Sequence, residues 1–291
     1  MSLRKVIASG ANLNPPHWLA DNLALEVMMG SEAYGVSSNN SDIDVYGICL
    51  PPKDLVFPHL AGEIPGFGRQ LKRFEQWQEH HIKVHDKEYD FQVFSIVKFF
   101  QLAMENNPNV LDALFVPRRC VLSSTQVGET IRENRKLFLH KGSWHKLKGY
   151  AYSQLHKISS KDPTGKRLAL VEEYGYDVKF AYHVVRLLLE AEMILVEQDL
   201  DIERHREQLK SIRRGEWTEA QLREWAQTKE KALEAAYATS TLRHKPDEPA
   251  IKALLLQCLE AHYGDLAAAV RDTGVEERTL RDIAKATEKW R

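Results

Sequence analysis

Cysteine and long apolar segments are both scarce in this chain of 291 residues. Cys49, Cys120 and Cys258 are scattered and odd in number, which fits a reducing compartment better than a disulfide framework. Their separation matches no zinc-binding spacing. The N-terminus lacks the apolar core of a secretory signal, and no apolar run approaches the roughly 20 residues of a membrane span. We therefore expect a cytoplasmic protein.

A strong net charge of either sign is lacking as well. The chain carries 40 basic and 41 acidic residues, for a net charge of −1. No global field therefore attracts it to nucleic acid, and any such binding must come from local patches. The sequence contains no recognised RNA-binding module. Its length allows one or two domains and a sizeable core.

A small-residue turn after an apolar run is the first positive signal. Residues 23–29 are apolar enough for a buried strand. Gly30 then permits a tight exit that aims backbone N–H groups at an incoming anion, and Ser31 adds a hydroxyl. Tyr34 in the same turn has two interpretations of equal weight: it lines a ligand pocket, or it anchors the core.

Two carboxylates follow this turn. Asp42 and Asp44 flank Ile43 in a strand-like segment, so we expect both to project from one face. Their repulsion is usually relieved by a hard divalent cation, and Mg²⁺ is typically bound by one or two carboxylates together with phosphate oxygens. A second ion about 3.5–4 Å away would need a further shared ligand. Asp90, in the alternating segment 89–94, is the candidate.

An ordinary structural role is the competing interpretation of these carboxylates. Asp-x-Asp often occurs by chance at exposed strand ends, and Gly-Ser is a common turn. Here, however, Asp44 lies between two β-branched residues and Asp90 between two aromatic ones. Because unpaired buried carboxylates are costly, these apolar surroundings favour a cation site.

The residues Gly30-Ser31, Asp42-x-Asp44 and Asp90 resemble the signature of the nucleotidyltransferase superfamily that includes DNA polymerase beta. Within it, the chain is similar to predicted bacterial and phage nucleotidyltransferases associated with RNA repair, from about residue 25 to about residue 215. The stretches that carry this closer similarity are Gly30-Ser31-x-Ala33-Tyr34-Gly35, Ser41-Asp42-x-Asp44-x-x-Gly47, Asn107-Pro108-Asn109-Val110-Leu111 and Lys179-x-x-x-His183-x-x-Arg186-Leu187-Leu188.

This resemblance implies metal-dependent nucleotidyl transfer at the carboxylates. Asp42 and Asp44 would hold two Mg²⁺ ions, replaceable by Mn²⁺, together with a nucleoside triphosphate. Asp90 would ligate the catalytic ion and help deprotonate an acceptor hydroxyl, after which the α-phosphorus is attacked and pyrophosphate leaves. The nucleotide-binding residues it implies in the turn are Gly30, Ser31 and Tyr34.

The acceptor and the reaction class leave alternatives open. The RNA-repair branch implies an RNA 3′ hydroxyl, such as that of a nicked or truncated tRNA, as the acceptor. Superfamily members also modify proteins and small molecules. A different class is a binding module that senses nucleotide or forms one half of a toxin–antitoxin pair, and the complete carboxylate triad argues against it.

The pattern along the chain changes near residue 118. Before it, strand-like runs alternate with helical segments, including a helix predicted over 95–105; after it, helical periodicity dominates. We therefore predict an α+β, α/β-like protein of two domains: a small mixed-sheet catalytic domain over 1–118 and an all-helical domain over 119–291 that binds nucleotide phosphates and acceptor. The later helices are predicted at about 122–139, 144–158, 174–198, 218–238 and 247–262, with two short helices after them.

The helix predicted from Tyr176 to about Glu197 carries three nitrogen-bearing side chains on one face. Lys179, His183 and Arg186 are spaced i, i+4, i+7. On phosphate, lysine acts as a point charge and arginine as a bidentate fork. The apolar face of this helix is separate, so Lys179 and Arg186 need not be buried. A solvated basic face is the alternative, but with the family resemblance we predict contact with the outer phosphates.

Other basic and histidine-rich stretches are less specific. Residues 157–167 form a basic segment with Pro, Gly and Ser that fails the P-loop pattern, and we weigh phosphate contact and a solvated linker equally. For the basic cluster at 204–214, a solvent-facing helix is slightly favoured. His80, His81 and His85 precede the Asp90 strand in a polar segment, and we interpret them as surface histidines rather than transition-metal ligands.

Overall fold

The computed structural model describes residues 1–37, 42–57, 73–160, 163–265 and residue 283. The strands in this part of the chain are β1 (Leu23–Met28), β2 (Ile43–Cys49), β3 (Gln76–Val84), β4 (Lys87–Ser95) and β5 (Val121–Ser124). They form one five-stranded sheet in the order β3-β4-β2-β1-β5. Strands β2 and β4 run parallel, and the other neighbours pair antiparallel. The sheet is therefore mixed, as predicted.

The parallel pair sets the position of the acidic residues. In β4, Tyr89, Phe91 and Val93 are buried, and the residues between them are partly exposed, which is the period-2 pattern of a strand. The register of β2 on β4 aligns Asp44 with Asp90. Both carboxylates therefore lie at the same level of neighbouring strands.

Helices surround the sheet and make up most of the later half. They are α1 (Leu3–Ala8), α2 (Gly30–Ala33), α3 (Lys53–Val56), α4 (Ile96–Met104), α5 (Pro108–Phe115), α6 (Gln126–Glu133), α7 (Gly142–Ser160), α8 (Lys166–Tyr174), α9 (Val178–Glu192), α10 (Arg206–Arg213), α11 (Glu219–Thr239) and α12 (Glu248–Tyr263). Short 3₁₀ segments occupy Ala20–Asn22, Arg118–Cys120 and Arg135–Phe138, and a π-helical turn over Met193–Glu197 continues α9.

Polar side chains fix several helix ends. The Ser95 hydroxyl accepts from the Lys98 N–H at the start of α4, close to the predicted start at residue 95. Thr218 and Gln221 form the reciprocal capping box that their spacing predicts at the start of α11. Gly264, with φ of 85°, ends α12, because glycine adopts this left-handed conformation without strain.

The α+β architecture predicted from the sequence is confirmed, but one element boundary is wrong. The helix predicted over 122–139 begins with a strand, β5, which pairs with β1 beyond residue 118. The physical reason is a buried polar group on β1: the Ser123 hydroxyl donates to the Glu26 carboxylate at 2.7 Å, and Glu26 is 2 % exposed. When residues 121–124 pair with β1 as a strand, the Ser123 hydroxyl reaches the buried Glu26 carboxylate. A helix that began at residue 122 would not supply this hydrogen bond.

The two basic stretches, 157–167 and 204–214, are both partly helical. Helix α7 continues through Ser160 and α8 begins at Lys166, so the segment 157–167 is largely the ends of two helices. Lys161 and Asp162 lie outside the described residues. The cluster at 204–214 contains α10, whose Leu209 and Ile212 are buried, whose Arg206 is exposed, and whose Lys210 and Arg213 are partly buried. The cluster therefore includes an amphipathic helix, but only part of its basic face is open to solvent, because Arg213 donates to the Val36 carbonyl oxygen.

One apolar core joins the sheet to the later helices. Its buried members come from β1, β2 and α4–α6 and continue through α9 to α12. A smaller core lies under α1, β3 and β4. Helix α9 is central, with twelve of its residues buried between α7, α10 and α11. The division into two domains stays a prediction, since both parts contribute to this core. Among the described helices, none has the length and apolarity that a membrane crossing requires.

Candidate active site

The turn between β1 and α2 brings the backbone against Asp44. Gly30 has φ of 60°, and a Cβ atom at this position would lie 2.0 Å from Asp44 Oδ2. The Met29 N–H donates to the Asp44 carbonyl oxygen at 2.8 Å. Glycine is therefore required here both for the backbone conformation and for the close approach of the carboxylate. Ser31 follows in α2 and is partly exposed.

Three carboxylates interact electrostatically near this turn. Asp44 on β2 faces Asp90 on β4 in register, and Asp42 precedes β2 in an exposed position. Burial, followed by the charge of Asp90, raises the pKa of Asp44 to about 6, and the charge of Asp42 adds to the rise. Ionised Asp44 is thus disfavoured in the protein alone, which is the condition that a bound cation would relieve. The donor set, carboxylate oxygens only, fits Mg²⁺ or Mn²⁺.

A bulge in the edge strand β3 lies beside Asp90 and contacts its carboxylate. The pairing of β3 with β4 shifts register between Glu79 and Ile82, and His81 lies within the shift with φ of 60°. The His81 N–H donates to Asp90 Oδ1 at 2.8 Å, and His80 Nδ1 lies 3.5 Å from Asp90 Oδ2. The Asp90 carboxylate is therefore held in one orientation by the neighbouring strand.

The histidines are exposed, as the sequence predicts, but two of them have partners in the acidic site. His81 Nδ1 contacts Glu88 Oε1, and this hydrogen bond raises the pKa of His81. His80 lies against Asp90. His85 is exposed in the β3–β4 turn with φ of 53°. The three histidines are therefore exposed, as interpreted from the sequence, but that interpretation did not include the contacts of His80 with Asp90 and of His81 with Glu88.

Helix α9 supplies one accessible positive charge to the site. Lys179 in its first turn is exposed, and its ammonium lies close enough to Asp44 to oppose the rise in the pKa of that carboxyl. The Asp177 carboxylate caps α9 by accepting from the N–H groups of Lys179 and Phe180. The structure thus brings Lys179 within electrostatic range of Asp44.

His183, one turn further along α9, is partly buried in surroundings that favour the neutral imidazole. Burial lowers the pKa of His183 well below its usual 6.5, and neighbouring positive charges lower it further. The prediction that His183 adds a positive charge therefore requires a bound anion to raise this pKa. The cations that act on His183 are Arg186, Lys179, Arg167 and Arg213.

Arg186 differs from the expectation of an accessible cation. It is 4 % exposed, and its Nη1 lies 2.6 Å from Asp112 Oδ2 and 3.3 Å from Glu190 Oε1. Nη1 also donates to the Tyr34 hydroxyl. The correction follows from Asp112, a buried carboxylate on α5 whose charge requires a buried partner. In this structure Arg186 is the ion-pair partner of Asp112 rather than a side chain open to phosphate.

Tyr34 is likewise buried, which matches its interpretation as a core anchor. Its hydroxyl donates to Asp112 and its ring lies under the Arg186 guanidinium, 4.6 Å from Cζ to the centroid. The same turn is held by Arg119, which donates to the Glu32 carbonyl oxygen at 3.0 Å, and by Arg213, which donates to the Val36 carbonyl oxygen at 2.8 Å. The Gly30 turn is therefore fixed from α5, α9 and α10 together.

Comparison with known families identifies the chain. The profile of the RNA repair pathway DNA polymerase beta family matches residues 17–257. The chain belongs to this family. The resemblance inferred from Gly30-Ser31, the aspartates and α9 is thereby confirmed at the level of the family. The match begins before β1 and ends within α12, so it includes every candidate site residue.

Two individual proteins show weaker similarity to this chain. An uncharacterized 38.9 kDa protein from the nrdC-mobD intergenic region of Enterobacteria phage T4 is 28% identical over 147 residues, which is 50% of this chain and 40% of that protein. The chain therefore spans less than half the length of that relative. The crystal structure of a nucleotidyltransferase-like protein from Exiguobacterium sibiricum 255-15 aligns with a TM-score of 0.28 at 10% identity, covering 82% of this chain and 68% of the other.

Sequence reasoning missed several residues in and behind the candidate site. Asp112 and Glu190 are buried beside Arg186, and their signal is a carboxylate inside an otherwise apolar helical run. The contact of His80 and His81 with Asp90 has a weaker signal, the break in alternation within β3. Both depend on pairing between distant segments, which local spacing does not encode.

Proposed function

We propose that this family member is a metal-dependent nucleotidyltransferase that transfers a nucleotide from a nucleoside triphosphate to an acceptor hydroxyl. The observation that carries the proposal is the arrangement of the aspartates. Asp44 and Asp90 are in register on parallel strands, and burial together with the charge of Asp90 raises the pKa of Asp44 to about 6. A carboxylate whose pKa is raised by burial and by a neighbouring carboxylate is typical of a functional site.

Asp42, Asp44 and Asp90 would hold two Mg²⁺ ions, for which Mn²⁺ can substitute. When bound, these ions neutralise the carboxylates and the phosphates and polarise the phosphoryl oxygens. The fit rests on the all-oxygen donor set and on the disfavoured charge of Asp44. Gly30 supports the same assignment, because no other residue allows Asp44 to approach the turn as closely.

The reaction then assigns separate tasks to the protein's own residues. Asp90 accepts the proton of the acceptor hydroxyl; the acceptor oxygen bonds to the α-phosphorus, the bond to the β-phosphate breaks, and pyrophosphate leaves. The His81 N–H fixes one Asp90 oxygen and so orients the carboxylate for this transfer. Lys179 binds the outer phosphates as a point charge, while Gly30 and Ser31 face the nucleotide from the turn.

We propose an RNA 3′ end as the acceptor, on the basis of the family's description as an RNA repair pathway family. A protein or small-molecule hydroxyl is the alternative acceptor. A catalytically silent nucleotide-sensing or antitoxin module is the alternative class, and the complete set of three aspartates weighs against it. The division into a catalytic domain over 1–118 and a helical domain over 119–291 belongs to the same proposal, as does a cytoplasmic location.

The test is incubation of purified protein with labelled nucleoside triphosphates, Mg²⁺ or Mn²⁺, and either total RNA or protein alone. Label is expected in RNA, and recovery and sequencing of the labelled RNA identifies the acceptor end. Asp44→Asn is expected to abolish labelling. The matched control is Asp86→Asn, which removes an exposed carboxylate from the β3–β4 turn and should label normally. Label in neither RNA nor protein would support the sensing module.

A further inference from the structure

A second group of potential metal ligands lies on the β3 side of Asp90, whereas Asp44 pairs with Asp90 from the β2 side. His81 Nδ1, a Glu88 carboxylate oxygen and an Asp90 carboxylate oxygen all lie within 4.8 Å of one another. Glu88 and Asp90 are two positions apart on β4 and so share a face, and the bulge in β3 places His81 opposite them. The three side chains converge from two paired strands.

The chemistry of this group differs from that of the three aspartates. One imidazole nitrogen with two carboxylates suits Zn²⁺ and similar transition ions, whereas Mg²⁺ prefers oxygen ligands alone. Three protein ligands also leave a fourth position for water or substrate, as in open zinc sites. The His81 side chain is 78% exposed, so an ion from solvent can reach the group without rearrangement of the core.

We infer that His81, Glu88 and Asp90 form a binding site for a transition-metal ion of the Zn²⁺ type, which replaces the sequence-based interpretation of His81 as a surface histidine that is not a metal ligand. The inhibitory consequence rests on the proposed function, because Asp90 belongs to both sites. An ion held on the His81 side engages the Asp90 carboxylate and withdraws it from its part in nucleotidyl transfer. Zn²⁺ therefore inhibits the Mg²⁺-dependent reaction by competing for a shared residue.

The competing arrangement is an ion pair between protonated His81 and Glu88, which their contact also satisfies. The two arrangements make opposite predictions for Zn²⁺ affinity. If the contact is an ion pair only, removal of the imidazole has no effect on Zn²⁺ binding. If it is a metal site, removal of this one nitrogen weakens binding at least about tenfold, since even outer-shell partners of a metal are worth that much.

The binding experiment is a Zn²⁺ titration by calorimetry in the Asp44→Asn variant, which retains Asp90 but disables the Mg²⁺ side. His81→Asn in this background is compared with His85→Asn. Both histidines have positive φ, 60° and 53°, and asparagine tolerates this conformation, so the two changes have matched backbone consequences. Zn²⁺ affinity is expected to fall at least about tenfold for His81→Asn and to stay unchanged for His85→Asn.

A second variant and a second readout guard against misfolding. Glu88→Gln lies outside the bulge and is expected to weaken Zn²⁺ binding in the same way, with far-ultraviolet circular dichroism unchanged. Co²⁺ serves as the spectroscopic probe, and its visible absorption bands should change between wild type and His81→Asn but not His85→Asn. Equal Zn²⁺ affinity in all variants, or no Zn²⁺ binding by the wild-type chain, would overturn the site and leave an ion pair only.

The activity arm separates this inference from the proposed function. Zn²⁺ is expected to inhibit transfer by the wild-type protein in Mg²⁺, and the inhibitory concentration should rise at least about tenfold in His81→Asn. Unchanged inhibition in that variant contradicts the shared-residue argument. If no transfer occurs in Mg²⁺ alone, the proposed function fails, but the calorimetry still decides whether the Zn²⁺ site exists.

Discussion

Asp44 is a carboxylate whose ionised form is disfavoured in the protein without metal. Its pKa rises from 3.8 to about 6 through burial and the charge of Asp90. A raised folded-state pKa contributes stability at low pH that is lost as pH increases from the unfolded value to the folded one. Above about pH 6, the wild-type protein has therefore lost the stability that protonated Asp44 contributes at low pH. A side chain that stays neutral at position 44 would not cause this loss.

We therefore expect Asp44→Asn to be more stable than the metal-free wild type at pH 7. The upper limit is about 3 kcal/mol, from roughly two pKa units at 1.36 kcal/mol each. The difference should vanish below about pH 4. Urea denaturation at pH 4 and pH 7 in chelator measures it, with Asp86→Asn as the control. A variant that is less stable than wild type at pH 7 would contradict the electrostatic assignment.

Glu190 presents a second residue-scale test. It is 2 % exposed, and neither of its carboxylate oxygens accepts a hydrogen bond within the described structure. Asp112, by contrast, accepts hydrogen bonds from Arg186 and Tyr34, whereas Arg186 approaches Glu190 only to 3.3 Å. Burial raises the pKa of Glu190 well above 4.5, and we therefore expect Glu190 to keep its proton to a higher pH in the folded protein than in the unfolded chain.

The expected result is a pH-dependent difference between Glu190→Gln and wild type. Wild-type stability should fall as pH rises above 4.5, because the unfolded chain releases a proton that the folded chain retains. The glutamine variant lacks this loss, so its relative free energy of unfolding should increase from pH 5 to pH 8. Denaturation curves at both pH values measure the change. Parallel pH dependence in the two proteins would show that Glu190 is ionised.

At the scale of elements, the Gly30 turn and β2 must fit together. We expect Gly30→Ala to impair Mg²⁺-dependent transfer strongly, since its Cβ would meet Asp44 Oδ2 at 2.0 Å. Gly10→Ala is the matched control: Gly10 has φ of 75° with no atom within 4 Å of such a Cβ. Each change should cost about 1–2 kcal/mol through left-handed strain. Denaturation measures the backbone strain that both variants share, and Mg²⁺ calorimetry measures the effect of the clash with Asp44. Equal transfer activity in both variants would contradict the argument that Asp44 approaches Gly30 too closely for a Cβ atom.

Helix α9 separates an accessible lysine from a buried arginine. Lys179→Ala should leave folding intact and weaken triphosphate binding by roughly 1.5–3 kcal/mol, the range for charge-assisted hydrogen bonds. Arg186→Ala should instead destabilise the fold by about 3–5 kcal/mol, because it leaves Asp112 buried without its ion-pair partner. Calorimetry with triphosphate and thermal melting separate these outcomes. Lys252→Ala, an exposed lysine on α12, is the control, and wild-type affinity in Lys179→Ala would make this face ordinary solvated surface.

For the whole molecule, local spacing predicted much of the fold and part of the site. The Asp-x-Asp spacing and the alternation around Asp90 both follow from strand geometry, and the capping box follows from short-range hydrogen bonds. The burial of Arg186 could not be predicted in this way, because its partner Asp112 is 74 residues away in sequence. Likewise, the contact of His81 with Asp90 depends on a register shift between strands, which only pairing reveals.

The shared core leads to a final prediction about folding. Buried side chains from β1 and β2 pack in one cluster with those of α9, α11 and α12, and the Asp112–Arg186 ion pair joins α5 to α9 within it. Separating the sheet from the helices would expose this cluster and leave both charges unpaired, so neither part should persist without the other. We expect residues 1–118 and 119–291 to unfold in one transition, although they are proposed to divide the functional tasks.

Hydrogen exchange followed by mass spectrometry across a urea series measures this directly. Amides of β4 and of α9 should reach the same free energy of opening and the same dependence on urea, as in a single cooperative unit. Phe99 on α4 is 1 % exposed in the shared core. Phe99→Ala should therefore lower the free energy of opening of β4 and that of α9 by about 3–5 kcal/mol each. Loss of protection in β4 alone would establish instead that the sheet unfolds as an independent domain.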